Sequence, residues 1–229
     1  MIYFMKVNFL ETNCNNGAEN MAIDEKMLSD AIAGGLEGPK YAKVRFYEWS
    51  PKCISLGRNQ KESFDGDINV VRRVTGGRAL LHDNELTYCV VAPIGANESV
   101  IQSYKRVSDC LIAGFRRLKI AAEYGHERGV AKGYCMTLST GADVVWMGKK
   151  LVGSAQYRVK GCAQERAGGG WFLQHGSILF DADFELIEKI FGEKVDRNKI
   201  ATLNEINPSL DKGELIEALK YGFEHGFNL

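Results

Sequence analysis

Arg72-Arg73-Val74-Thr75-Gly76-Gly77-Arg78-Ala79-Leu80-Leu81-His82-Asp83 leads, after two residues, into Leu86-Thr87-Tyr88-Cys89-Val90-Val91. The second run is aromatic and β-branched and reads as a strand. The first places two cations before a Gly-Gly turn, follows it with a third cation, and closes on a His-Asp pair. Paired glycines let backbone pass close to a ligand, because no Cβ blocks the approach and positive φ costs little. Arginines hold anionic groups in a fixed fork. The stretch therefore reads as a ligand-cradling loop mounted on strands. It nominates Arg73, Thr75, Gly76, Gly77, Arg78, Ala79 and His82 as binding residues, with Arg73 favoured over Arg72 for its nearness to Gly76, and His82 in the wall.

Upstream, Ala18, Met21, Ala22, Leu28, Ala31 and Ile32 fall near helical spacing, after capping-type Asn13 and Asn16 and before Gly34-Gly35. Lys43 to Trp49 alternates as a strand does, and Cys53 to Gly57 reads as a short second one. Downstream, Ile101, Tyr104, Val107, Leu111, Phe115 and Leu118 mark a longer helix. Asp143 to Met147 and Lys150 to Gln156 predict a hairpin turning at Gly148-Lys149. Leu173 to Phe180 is a further strand, followed by helices over Phe184 to Phe191 and Glu214 to Phe227. Gly161 to Gly170 reads as a mobile loop. Strands grouped between helices predict an α/β (α+β) domain with a mixed, mostly antiparallel sheet. With no repeat or linker between elements, residues 1–229 are expected to form a single domain.

Lysine plus arginine and aspartate plus glutamate are equal at 29 each in 229 residues, which gives no overall electrostatic signature of nucleic-acid or membrane binding. Met1 to Leu10 is too short and too polar for a signal peptide. Six cysteines at irregular spacing, without an export signal, are expected as free thiols in a cytoplasmic protein. No CxxC pair exists, so no metal site is expected.

Three further segments carry chemistry. Lys150-Leu151-Val152-Gly153-Ser154-Ala155 follows a lysine with small residues that could bring backbone N–H groups to a carbonyl. His175-Gly176-Ser177 sets a glycine inside a strand, where it often marks close backbone approach. Gly133-Tyr134-Cys135 puts a thiol in a loop before the hairpin. His82 and His175 could serve as bases, or simply hold structural hydrogen bonds.

Together with Glu19-Asn20-Met21-Ala22-Ile23-Asp24 and Ile54-Ser55-Leu56-Gly57-Arg58-Asn59-Gln60, these segments resemble the biotin/lipoate protein ligase superfamily from about residue 18 to about 181. The likeness implies a biotin/lipoyl protein ligase-like catalytic domain, without the accessory C-terminal domain many members carry. Within the superfamily the pattern is most similar to the LipM class of octanoyltransferases, whose cysteine lies in the loop before the Lys-x-x-Gly-Ser-Ala segment. That implies octanoyl transfer from acyl carrier protein, through a thioester on Cys135, to a lysine of a lipoyl domain such as glycine cleavage H protein or a dehydrogenase E2 subunit. Lys150 would stabilise the Cys135 thiolate, since only the thiolate is nucleophilic. Backbone N–H groups near Gly153-Ser154 and Gly176-Ser177 would meet the oxyanion. The binding set then comprises Arg73, Thr75, Gly76, Gly77, Arg78 and Ala79 with His82, Gly153, Ser154, Ala155, His175, Gly176 and Ser177. No cofactor is implied for a transferase. The rival within the superfamily is a lipoate–protein ligase, which uses ATP with magnesium and typically shows a third glycine where Arg78 stands. A relay amidotransferase and a catalytically silent acyl-binding paralogue are the remaining readings.

Overall fold

The computed structural model describes residues 5–34, 41–64, 66–125, 141–160 and 169–227. In chain order the strands β1 (Lys6–Phe9) and β2 (Asn13–Asn15) lead into helix α1 (Gly17–Ala33), which Asn16 caps through a reciprocal pair of hydrogen bonds with Glu19. β3 (Tyr41–Trp49), β4 (Cys53–Leu56), β5 (Asn69–Arg72), β6 (Leu80–His82) and β7 (Glu85–Pro93) follow. Ser99 and Gln102 form the same capping box on α2 (Val100–Arg117). Then come β8 (Ala122–Tyr124), β9 (Val144–Trp146), β10 (Lys149–Lys160) and β11 (Gly170–Leu179). The chain continues through α3 (Phe184–Phe191), α4 (Leu203–Ile206) and α5 (Lys212–Gly226).

Eight strands make one sheet in the order β1-β3-β7-β11-β10-β9-β8, with β2 also paired to β3. β1 and β2 run parallel to β3 and every other neighbour is antiparallel, so the sheet is mixed and mostly antiparallel as the sequence implied. β5-β4-β6 form a second, three-stranded sheet.

Period-two alternation assigns the faces of the large sheet. Val44 and Phe46 of β3, Leu86, Tyr88 and Val90 of β7, and Phe172 and Ile178 of β11 share a core with Val107, Leu111 and Phe115 of α2 and Leu215, Leu219 and Phe223 of α5. The intervening residues Tyr47, Trp49, Cys89, Val91 and Leu173 pack with Met21, Met27, Leu28 and Ala31 of α1 on the opposite face. The small sheet has its own cluster, in which Ile54, Leu56, Leu80 and Leu81 meet Ile187 of α3.

One turn differs from the sequence reading by a residue. Met147 and Gly148 both have positive φ, 47° and 74°, and Lys149 already pairs with Trp146. Two successive positive-φ residues match the twist of the flanking strands, so the hairpin turns at Met147-Gly148 and Lys149 belongs to β10. Among the described residues, no helix is long and apolar enough to cross a membrane.

Candidate active site

A cavity of about 440 Å³, counted out to its mouth, lies between the α1 face of the large sheet and the small sheet. Its floor follows the strand registers: Gly153 of β10 stands opposite Ser177 of β11, Ser177 opposite Thr87 of β7, and Thr87 opposite Tyr47 of β3. Trp49, Met21 and His175 complete that side, and Ser55, Leu80, His82 and Arg73 form the roof. Of the residues nominated from sequence, Arg73, His82, Gly153, Ser154, Ala155, His175, Gly176 and Ser177 line this space. Thr75, Gly76, Gly77, Arg78 and Ala79 do not.

The Gly-Gly loop supports the wall of this cavity through Arg73. Arg73 is buried and gives its guanidinium to protein carbonyls: Nη1 donates to Ser55 O at 2.9 Å, while Nη2 donates to Gly76 O at 2.9 Å and to Arg78 O at 2.8 Å. Arg72 likewise donates to Gly57 O and Gln60 O, at 2.9 and 2.7 Å. The glycines serve backbone-to-backbone packing. A Cβ on Gly57 would sit 2.0 Å from Gly77 O, and Gly77 itself has φ +96°. A buried guanidinium needs its donors satisfied, and in Arg73 they go to the carbonyls of Ser55, Gly76 and Arg78.

Two histidines bind the layers together. His82 Nδ1 lies 2.7 Å from Glu85 Oε1 and its Nε2 lies 2.7 Å from Ser55 Oγ, while its ring stacks on Trp49 at 3.9 Å between centroids. Ser55 Oγ also accepts from Arg73 Nη1 at 2.9 Å. The Ser55 hydroxyl can accept from or donate to His82 Nε2, and the ring joins Ser55 to Glu85. Glu85 Oε1 further accepts from Thr87 Oγ1 at 2.5 Å and Ser177 Oγ at 2.7 Å. Burial pushes the Glu85 carboxyl up, but attraction to His82 and these hydrogen bonds outweigh it, and its pKa stands below the ordinary value.

His175 bridges Asp24 Oδ2 at 3.2 Å and Thr75 Oγ1 at 2.7 Å, which anchors the Gly-Gly loop to α1 and β11. Burial lowers its pKa, so the ring is held neutral. Asp24 also pairs with the buried Arg45 at 3.0 Å and accepts from Tyr47 Oη at 2.8 Å. Sequence reasoning missed Asp24, Arg45, Tyr47, Trp49, Ser55, Glu85 and Thr87 as site residues. The segments Glu19 to Asp24 and Ile54 to Gln60, quoted only for their likeness, were the signal that could have found Asp24 and Ser55.

Lys150, only 5% exposed, pairs with Asp143 at 3.1 Å, three residues before Gly153. Lys149 points outward to Glu205. Cys135 and Cys162 lie outside the described residues. Cys53, Cys89 and Cys110 are buried, and burial pushes their thiols up, that of Cys53 to about 11, so they stay protonated. β11 is paired on both sides throughout its length, by β7 and β10, so the ladder uses the amides of Gly176 and Ser177 and an oxyanion cannot have them. β9 pairs with β10 only as far as Val152. Among the described residues this leaves the β10 edge from Gly153 onward as the donor row open to a ligand.

The family model for the lipoyl protein ligase A/B catalytic domain matches residues 16–224. The chain belongs to that family. Its curated relatives include octanoyltransferase LipM of Macrococcus caseolyticus, 33% identical over 246 residues that span 96% of this chain and 84% of the relative. Octanoyltransferase LipM of Staphylococcus epidermidis is 32% identical over 253 residues, spanning 97% and 87%. Among solved structures, lipoate-protein ligase A bound with ATP superposes with a TM-score of 0.78 at 22% identity, over 97% of this chain and 85% of that one. At that identity the likeness is one of fold. It places the family's lipoate-ligase architecture on the sheet and helices described above.

Proposed function

We infer that the chain is an octanoyltransferase of protein lipoylation, of the LipM kind. The observation that carries this is a one-third identity to octanoyltransferases LipM that runs through 96% of the chain, not through one motif. Octanoyl-acyl carrier protein is the donor and a lipoyl-domain lysine the acceptor, in the cytoplasm. Cys135 attacks the donor thioester as its thiolate, forming a new thioester and expelling the carrier thiol, which takes up a proton. The acceptor amine then attacks the Cys135 thioester. The C–N bond forms, the C–S bond breaks, and the amine's proton returns to the thiol. Splitting transfer this way is nucleophilic catalysis with ping-pong kinetics.

The positions of the described residues support a role for each. Lys150 offers positive charge at the β10 end, tempered by Asp143 at 3.1 Å, and stabilises the thiolate. The β10 edge from Gly153 supplies oxyanion donors. The octanoyl tail lies in the cavity, where its burial contributes about 5 kcal/mol at most, at roughly 0.8 kcal/mol per CH₂. The polar groups of the floor do not oppose it, because the Thr87 and Ser177 hydroxyls are both spent on Glu85. ATP takes no part.

The test is transfer from octanoyl-acyl carrier protein to a lipoyl domain in ATP-free buffer, beside pyrophosphate exchange with free octanoate and ATP. Octanoylated acceptor without ATP and no exchange is expected. Exchange together with strict ATP dependence would make the enzyme a ligase.

A further inference from the structure

The floor of the cavity is a ruler. Gly153, Ser177, Thr87 and Tyr47 form one cross-strand row, and side-chain size rises along it from nothing to a phenol ring. Three strand spacings make the row about 14 Å long. On the octanoyl-transfer reading the reacting end lies by Gly153, three residues along β10 from Lys150. At the other end Tyr47 lies 5.7 Å from Trp49, and Trp49 lies flat against His82, with 12° between the rings. Resting on the octanoyl-transfer reading, we propose that the Trp49–His82 stack is the stop that sets acyl chain length, and that Glu85 is the residue that positions it.

The stop is rigid because both rings are tied. Trp49 Nε1 donates to Thr87 Oγ1 at 2.8 Å, and Thr87 donates in turn to Glu85. His82 is held at Nδ1 by Glu85 and at Nε2 by Ser55. A chain two carbons longer could move either ring only by breaking buried hydrogen bonds, and an unpaired buried donor or acceptor is costly. The other apolar lining residues, Met21 and Leu80, have no such ties and adapt in shape, as unbranched methionine does readily. Depth is therefore fixed at the aromatic end, while width is soft.

The Ser55–His82–Glu85 order of hydrogen bonds is also that of a hydrolytic relay. At the methyl end of the acyl chain it meets no carbonyl, and its task is to hold the ring of His82 in place.

The experiment compares octanoyl-, decanoyl- and dodecanoyl-acyl carrier protein as donors by kcat/KM, in wild type, Trp49→Ala, Trp49→Phe and Glu85→Gln. Wild type is expected to favour octanoyl over decanoyl by about tenfold or more, and Trp49→Ala to lower that ratio by about tenfold or more. Trp49→Phe and Glu85→Gln should move it less, in the same direction. A ratio within about twofold of wild type in Trp49→Ala overturns the proposal, and if that variant does not fold the same criterion applies to Trp49→Phe. Octanoyl found on Ser55 by peptide mapping overturns it too, since the carbonyl would then lie at the aromatic end. If wild type transfers no acyl group from any donor, the octanoyl-transfer reading falls and this inference with it. If wild type transfers and the ratios do not move, only this inference falls.

Discussion

Strand β7 displays two chemistries side by side. Leu86, Tyr88, Val90 and Ala92 point toward α2 and α5 into an apolar core. Glu85 and Thr87, interleaved with them, point toward α1, where carboxylates, histidines and an arginine are buried together. One face holds the sheet by close packing. The other face pairs most of its polar groups with one another, leaving Glu85 Oε2 and Arg45 Nε buried without partners among the described residues, and encloses the cavity. The lesson is that period two lets one strand carry scaffold and site at once, with neither intruding on the other.

The largest effects should come from cutting each face at its centre. Phe115→Ala on the apolar face should cost about 3–5 kcal/mol in urea unfolding. Asp24→Ala should cost a similar 3–5 kcal/mol or so, because it leaves Arg45 buried without its partner. The two should part in function. Asp24→Ala also releases His175 and Tyr47 and should disturb donor chain-length preference, whereas Phe115→Ala should retain it in whatever protein stays folded. A preference that moves in Phe115→Ala and not in Asp24→Ala would break the division between faces.

Next in size is Gly57→Ala. Its Cβ would meet backbone, so the Gly-Gly loop must shift, and a loss of about 1–3 kcal/mol in thermal or urea unfolding is expected. The smallest effect is a slope in pH. Unfolded, His175 takes up a proton around its ordinary value of 6.5; folded, it does so only at lower pH. Stability should therefore fall as pH drops below about 6.5, until the folded pKa is reached, and His175→Gln should flatten that part of the Tm-versus-pH curve. An unchanged slope in the variant would assign the acid sensitivity to other groups.

Much of this scaffold is legible in sequence because it rests on local rules. Asn16 capping α1, the stripe along α2, and alternation in β3 and β11 each depend on residues within a few positions. β1, β2 and β8 escape such reading, since each is three or four residues long and owes its state to a partner strand. The site divides in the same way. His82, His175 and Gly153 stand out by their neighbours in sequence. The fate of Arg73 does not, because whether a guanidinium meets a ligand or its own turn's carbonyls is settled by burial. Nor does the row Gly153–Ser177–Thr87–Tyr47, which exists only through three strand registers that no single segment encodes.

The central claim is that acyl transfer passes through a thioester on Cys135. Intact-protein mass spectrometry after mixing with octanoyl-acyl carrier protein, without ATP, tests it most directly. The account predicts a gain of one octanoyl group on wild type and none on Cys135→Ala. An adduct that persists in Cys135→Ala, on Cys162 or any other residue, would contradict it.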